Sequence, residues 1–247
     1  MPAKGPGKNA LQPQVKVACQ DCNLFELCLP IGLQDKDLSR LDDIINRRTP
    51  LQRGQHLFEM GDDFHAIYAL RSGSIKTYVI SDDGREQITA FYLPGELLGL
   101  DAINALKHPG AAMALETSSI CEIPYDNLET LGDDVPGLHR QLTRIMSKEL
   151  LQEQNLLSLL GKFTVEERIA AFLLNLSQRF EERGFSPKEF NLSMSRHDIA
   201  NYLGMAVETV SRVFSRFQDD GILSAQRKFI QLHDLPGLKA MCGCIGR

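Results

Sequence analysis

The sequence predicts an α+β chain: an antiparallel β-roll, then one long helix, then a group of short helices closed by a small hairpin. Three observations predict it. Short segments rich in β-branched and aromatic residues are punctuated by glycines between Leu51 and Leu100. No glycine or proline occurs from Leu138 to Leu160, and two hydroxyl-x-x-acid sequences open helical patterns downstream.

Taken in order, residues 1–14 carry Pro2, Pro6, Pro13, Gly5 and Gly7 and lack the apolar stretch of a secretory signal, so a flexible tail on a cytoplasmic protein is expected. No apolar run approaches the roughly 20 residues of a membrane span. In the roll, Gly54, Gly61, Gly73, Gly84 and Gly95 separate the strand-like segments. Ile75 to Ile80 and Gln87 to Leu93 are the clearest, with Asp82-Asp83-Gly84 as a hairpin turn between them. In the long helix Thr143, Met146, Leu150, Glu153, Leu157 and Leu160 recur in alternating steps of 3 and 4, a coiled-coil seam suited to dimerisation. Glu153 is the acidic exception in that stripe.

Thr164-Val165-Glu166-Glu167 and Ser195-Arg196-His197-Asp198 are capping boxes. The first helix is expected to run to about Arg183 and stop at Gly184. The second ends near Leu203, and Gly204-Met205-Ala206 turns the chain into a third helix from Val207 to about Phe217. Two helices joined by so short a turn form a helix-turn-helix, and Ile222 to Leu232, with Arg227 and Lys228 near its tip, forms a wing. The expected divisions are a tail and cysteine segment at 1–31, the roll at 32–132, the dimerisation helix at 133–161 and the winged helix-turn-helix domain at 162–247. Each of the two large domains is expected to bury its own core.

A net charge of −5 argues mildly against nucleic-acid binding, since Lys and Arg supply phosphate contacts. The charge is uneven, however: every formal charge from Pro109 to Leu138 is acidic, whereas Ser195 to Leu232 carries five basic groups against four acidic ones. On the third helix Glu208, Ser211 and Arg212 share one face near the N-terminus, where a recognition helix meets base edges. Arg suits guanine, Glu accepts from cytosine, and Ser adapts. A solvated face with an i,i+4 ion pair is the plainer reading, but the turn, the cap and the hairpin agree on DNA.

Six cysteines without an export signal do not suggest a disulfide framework. Cys19-x2-Cys22-x5-Cys28 places three thiols close together, as a polynuclear metal site requires. The fourth ligand lies elsewhere: Cys121 sits in a strand-like segment, and Cys242 and Cys244 near the C-terminal end read as incidental. Four thiolates suit zinc as well as iron–sulfur. Leu24, Phe25, Leu27 and Leu29 would shield a cluster, which leans towards iron–sulfur. Taken alone, Cys121 reads better as an inert buried thiol. The histidines show no paired ligand spacing, and no nucleophile-and-base pair or phosphate-cradling loop appears, so a non-enzyme is expected. A redox carrier or iron–sulfur enzyme would have no use for the helix-turn-helix.

Three motifs together resemble the FNR-type (fumarate and nitrate reduction) regulators of the cyclic-AMP receptor protein superfamily, including the pseudomonad ANR proteins. They are Cys19-x2-Cys22-x5-Cys28, Leu115-Glu116-Thr117 to Cys121-Glu122-Ile123-Pro124, and Asn201-Tyr202-Leu203-Gly204 with Val207-Glu208-Thr209-Val210-Ser211-Arg212. The likeness covers nearly the whole chain after the tail. It implies a cyclic-nucleotide-binding-like jelly roll and a [4Fe–4S] cluster held by Cys19, Cys22, Cys28 and Cys121, assembled without oxygen and converted to a smaller cluster in its presence.

The resemblance further implies a homodimer in which Glu208, Ser211 and Arg212 read a palindrome resembling TTGAT-N4-ATCAA in double-stranded DNA. The dimer would recruit RNA polymerase through Ser72 and the loop around Gly84 and Arg85. Along the seam of Met146, Leu150, Glu153 and Leu157, facing Glu153 carboxylates would repel and favour the monomer unless the cluster shifts the helix. Departures also inform. Gly95-Glu96-Leu97-Leu98-Gly99 matches nucleotide-binding relatives, but Pro109-Gly110-Ala111-Ala112 offers no Arg for a phosphate, so no cyclic nucleotide is expected. Asn23, beside Cys22, stands where the family varies and bears on oxygen sensitivity. The alternative is a regulator of the same fold with a structural zinc, or one sensing nitric oxide or a small ligand.

Overall fold

The computed structural model describes residues 18–242. The tail at 1–17 and Cys244 lie outside the described residues. A 3-10 turn at Cys19–Asp21 and a loop precede α1 (Asp35–Ile44). The roll follows: β1 (Asn46–Arg47), β2 (His56–Phe58), β3 (Ala66–Ser72), β4 (Ile75–Ile80), β5 (Glu86–Tyr92), β6 (Leu97–Leu98), β7 (Ala111–Ala114) and β8 (Ser119–Pro124). These strands form two antiparallel sheets, ordered β1-β8-β3-β6 and β2-β7-β4-β5. After α2 (Tyr125–Asp134), the long α3 (Pro136–Lys162) begins with proline at its first turn, where the missing N–H costs nothing.

The terminal unit comprises α4 (Val165–Glu181), β9 (Glu189–Asn191), α5 (Arg196–Tyr202), α6 (Val207–Asp219), β10 (Leu223–Gln226), β11 (Phe229–Leu232) and α7 (Leu235–Met241). Both capping boxes form reciprocally, at Thr164 with Glu167 and at Ser195 with Asp198. Gly204, at φ +62°, makes the turn between α5 and α6. Several boundaries shift by one to three residues: β5 is Glu86–Tyr92 and not Gln87 to Leu93, and the dimerisation helix starts at Pro136 and not at 133, because α2 occupies the chain to Asp134. α4 ends at Glu181 because the chain tightens there, Arg183 N–H bonding to Phe180 O and Gly184 N–H to Glu181 O. α6 continues two residues past Phe217.

Strand alternation decides which face each roll residue serves. Along β3, Ala66, Tyr68 and Leu70 point between the sheets with Leu57, Phe58, Ile75 and Leu98. Ile67 and Ala69 point the other way, against Leu29, Leu41, Leu128 and Leu138. Register then assigns β8: Ile120 lies opposite Leu70, Cys121 opposite Ala69, and Ile123 opposite Ile67. Cys121 therefore faces outward, towards α1 and the N-terminal loop. Leu142 and Ile145 of α3 pack on this same outer core, together with Cys28 and Cys121.

The roll and the elements on its outer face bury cores of their own, while the core of the terminal unit extends onto the roll. Tyr78, Ile88, Phe91 and Leu93 of the roll belong to one buried cluster with Phe172, Leu173, Leu203 and Phe217 of the terminal unit. The apolar outer face of the β4–β5 hairpin needs a cover, and the helix-turn-helix supplies it. Phe91 stands 6.1 Å from Phe172 and 5.0 Å from Tyr202, ring centre to ring centre.

Removing the cap of α4 by Thr164→Ala leaves the Glu167 N–H without its partner and is expected to cost about 1 kcal/mol. Circular-dichroism melting is expected to show a fall in Tm of about 2–4 °C.

Candidate metal centre and nucleic-acid interface

Tight backbone turns wind the N-terminal segment so that its thiols face one cleft. Cys22 N–H bonds to Cys19 O, Phe25 N–H to Cys22 O and Cys28 N–H to Leu24 O, at 3.1–3.2 Å. Cys19, Cys22, Cys28 and Cys121 all line this cleft, whose walls include Leu24, Phe25, Leu29, Leu41, Ile45 and Ile123. The loop sits close against Gly95: at φ +94°, a Cβ there would fall 2.8 Å from Leu27 Cβ. Any side chain at that position would push the cysteine segment off the roll.

Burial pushes the Cys19 thiol far up, and the adjacent Asp42 carboxylate adds to the shift. Burial likewise raises Cys28 to about 12 and lifts Cys121. All three are neutral thiols near pH 7, so a metal binding there must displace protons. Among the described residues no three His, Cys, Asp or Glu side chains converge as a single ion demands. Thiols spaced around a cavity instead suit a polynuclear group, in which each iron takes its own thiolate.

On α6, Glu208, Ser211 and Arg212 are exposed, while Val210, Val213, Phe214 and Phe217 are buried. Arg212 does not depend on an ion pair for its position, its guanidinium reaching Thr209 Oγ1 at 3.3 Å. The Arg196 guanidinium lies 3.4 Å from the Phe214 ring centre and fixes α5 against α6. Arg227, at φ +57°, and Lys228 stand exposed at the tip of the β10–β11 hairpin.

On α3, Met146, Leu150, Glu153 and Leu157 are all exposed in the single chain, Leu157 at 71%. Glu149 lies half-buried beside them, in a cleft towards the roll that Met146, Leu150 and Glu153 also line, and burial and the nearby Glu96 push its carboxyl up to about 7. Ser72 is exposed at the end of β3, and Gly84 and Arg85 are exposed in the β4–β5 turn. Asn23 is exposed beside the cleft. Cys242 is buried, with its sulfur 3.8 Å from Glu167 O, and does not line the thiol cleft.

Two side-chain groups had no signal in residue spacing. Asp42 accepts the Cys19 N–H at 2.9 Å and pairs with Arg47, which lies opposite Cys121 across the β1–β8 ladder. Glu96 is buried between Arg179 and Arg183 of the terminal unit. The acid of the Gly-Glu turn was visible in the sequence, but not its partners more than 80 residues away.

Residues 48–134 match the model of the cyclic nucleotide-binding domain, and residues 167–241 that of the Crp-like helix-turn-helix domain. The chain is similar to the anaerobic regulatory protein of Haemophilus influenzae, at 50% identity across 92% of this chain and 88% of that protein. It is similar to the fumarate and nitrate reduction regulatory protein of Yersinia pestis at 50% identity, covering 92% and 91%. It is also similar to the transcriptional activator protein anr of Pseudomonas aeruginosa, at 51% identity across 91% and 92%. Among solved structures, FixK2 from Bradyrhizobium japonicum superposes with a TM-score of 0.74 at 29% identity, over 80% of this chain and 97% of that one.

The raised thiols set an expectation for the metal-free protein. Alkylation of Cys28, followed by mass spectrometry of its peptide, should accelerate about tenfold per pH unit from pH 8 to 11 without a plateau, since its pKa is about 12.

Proposed function

Because the chain belongs to the FNR/ANR family of transcription regulators, we propose that it is an oxygen-responsive one, in which a [4Fe–4S] cluster on Cys19, Cys22, Cys28 and Cys121 drives dimerisation and DNA binding. It is a DNA-binding regulator of the anaerobic type and not an enzyme. The observation that carries the cluster reading is the apolar cleft lined by four cysteines, three from one short loop and the fourth presented by the outer face of β8. Zinc would need the same thiols drawn onto one point.

When bound, a cluster would be held by the four cysteine thiolates and would supply an iron–sulfide core that oxygen can oxidise. The chain does the rest. Leu24, Phe25 and Leu29 limit water at the thiols. Cys28 and Cys121 share a core with Leu142 and Ile145, so the state of the cleft bears directly on the first turns of α3. Further along that helix the exposed stripe of Met146, Leu150 and Leu157 needs a cover, which a second copy provides. Facing Glu153 carboxylates oppose that pairing, and a small shift of α3 relieves them.

In the dimer Glu208, Ser211 and Arg212 read each half of a TTGAT-N4-ATCAA palindrome, with Arg227 and Lys228 against the backbone. Ser72, Gly84 and Arg85 form the surfaces for RNA polymerase. No cyclic nucleotide is used: the Glu96 carboxylate is already occupied by two arginines, and the 109–112 segment has no Arg for a phosphate.

The test is purification without oxygen. Iron and sulfide in equal amounts with a broad visible band support the cluster, and a colourless zinc protein that binds the palindrome equally well in air rejects it. Cys121→Ser is expected to abolish the band even though the three N-terminal thiols remain. Arg212→Ala is expected to weaken binding by about 1–3 kcal/mol, with the loss concentrated at one guanine, in competition assays with single-base operator variants. Glu153→Ala is expected to shift cluster-free protein from monomer to dimer in sedimentation.

A further inference from the structure

Among the described residues, polar contacts between the terminal unit and the roll gather at three places around a shared apolar core. At the first, Glu96 accepts Arg179 Nη2 at 2.5 Å and Arg183 Nη2 at 2.6 Å, while Arg183 Nε donates to Pro94 O at 2.6 Å. The Arg183 side chain is 2% exposed and that of Glu96 18%. At the second, Lys76 Nζ stands 3.1 Å from the Asp198 carboxylate, the acid of the α5 capping box. At the third, Asn201 Oδ1 accepts the Ile88 N–H at 2.6 Å and its Nδ2 donates to Glu86 O at 2.7 Å.

Apolar contact alone allows helices to slide on a sheet. A buried carboxylate held by two guanidiniums does not, because any displacement leaves a desolvated charge without its partner. Burial pushes the Glu96 carboxyl up, but the two arginines outweigh burial and hold it below the usual range, so it is ionised at neutral pH. Helix-turn-helix dimers must present two recognition helices at one fixed separation, about 34–36 Å, to meet successive major grooves.

We infer that Glu96 is a positioning residue for DNA recognition: with Arg179 and Arg183 it locks the helix-turn-helix to the roll in one orientation. The roll and α3 therefore set the spacing of the two recognition helices in the dimer. This inference rests on the DNA-binding role and not on the cluster. It uses the proposed palindrome only as a probe.

The test compares full-length dimer, prepared without oxygen and checked by sedimentation, on TTGAT-N4-ATCAA duplexes and on duplexes whose spacer is one base pair longer. The added pair moves one half-site by about 3.4 Å and turns it by about 35°. The wild type is expected to favour the four-base spacer by about a hundredfold, and Glu96→Gln to reduce that ratio to about tenfold or less. A variant that is merely less folded loses affinity for both duplexes equally, leaving the ratio unchanged. Asn201→Ala, which breaks a separate anchor, is expected to lower the ratio as well and serves if Glu96→Gln does not fold. An unchanged ratio in the folded dimeric variants overturns the inference. Should wild type bind neither duplex, the proposed operator fails and the lock is read by hydrogen exchange. Glu96→Gln is then expected to speed exchange of the Ile88 amide, which Glu96 does not touch, about tenfold, and unaltered protection of that amide overturns the inference.

Discussion

The turn at Gly95 and Glu96 carries the two close contacts on which the rest of the architecture depends. Gly95 lies against Leu27, so the loop bearing three of the cysteines can seat on the roll only because no side chain intervenes. Its neighbour, Glu96, reaches the opposite way into the terminal unit and is sealed between Arg179 and Arg183. One turn of the roll thus supports both the thiol cleft and the DNA-reading unit. Small displacements there cannot be absorbed by flexible surface groups, because the arginines are buried and the glycine has no slack.

From the cleft, a second line of contact runs into the long helix. Cys28 and Cys121 sit in one core with Leu142 and Ile145, near the start of α3, while the stripe that would face a partner begins at Met146. Filling an apolar-walled cleft in which Cys19, Cys28 and Cys121 are protonated changes charge, volume and packing together. In the proposed switch, a helix whose outer stripe combines exposed leucines with the acidic Glu153 would respond to such a change by altering how readily it pairs. The reading unit itself need not rearrange.

Local pattern made much of the fold legible. The glycine-punctuated strands, the uninterrupted helix and both capping boxes depend on near neighbours, and they stand where spacing placed them, with ends displaced by a residue or two where last-turn hydrogen bonds decide. The three N-terminal cysteines were legible for the same reason. Cys121 was reached only through the family resemblance, since its direction follows from pairing with Ala69 on β3, and strand pairing over that distance leaves no trace in spacing. Asp42 with Arg47 and Glu96 with its two arginines escaped detection likewise. That the terminal unit's core extends onto the roll was not legible, because the outward apolar residues of β5, Ile88 and Phe91, look like ordinary strand alternation until their cover is known.

In the proposed switch, occupancy of the four-cysteine cleft governs pairing along α3. Its most direct measurement is a stepwise oxygen titration of anaerobically purified protein, following visible absorption and sedimentation on the same samples. The account predicts that the dimer fraction falls in proportion to the intact cluster, with Glu153→Ala remaining dimeric after the cluster is lost. A dimer fraction that stays constant while the absorption bleaches would contradict it.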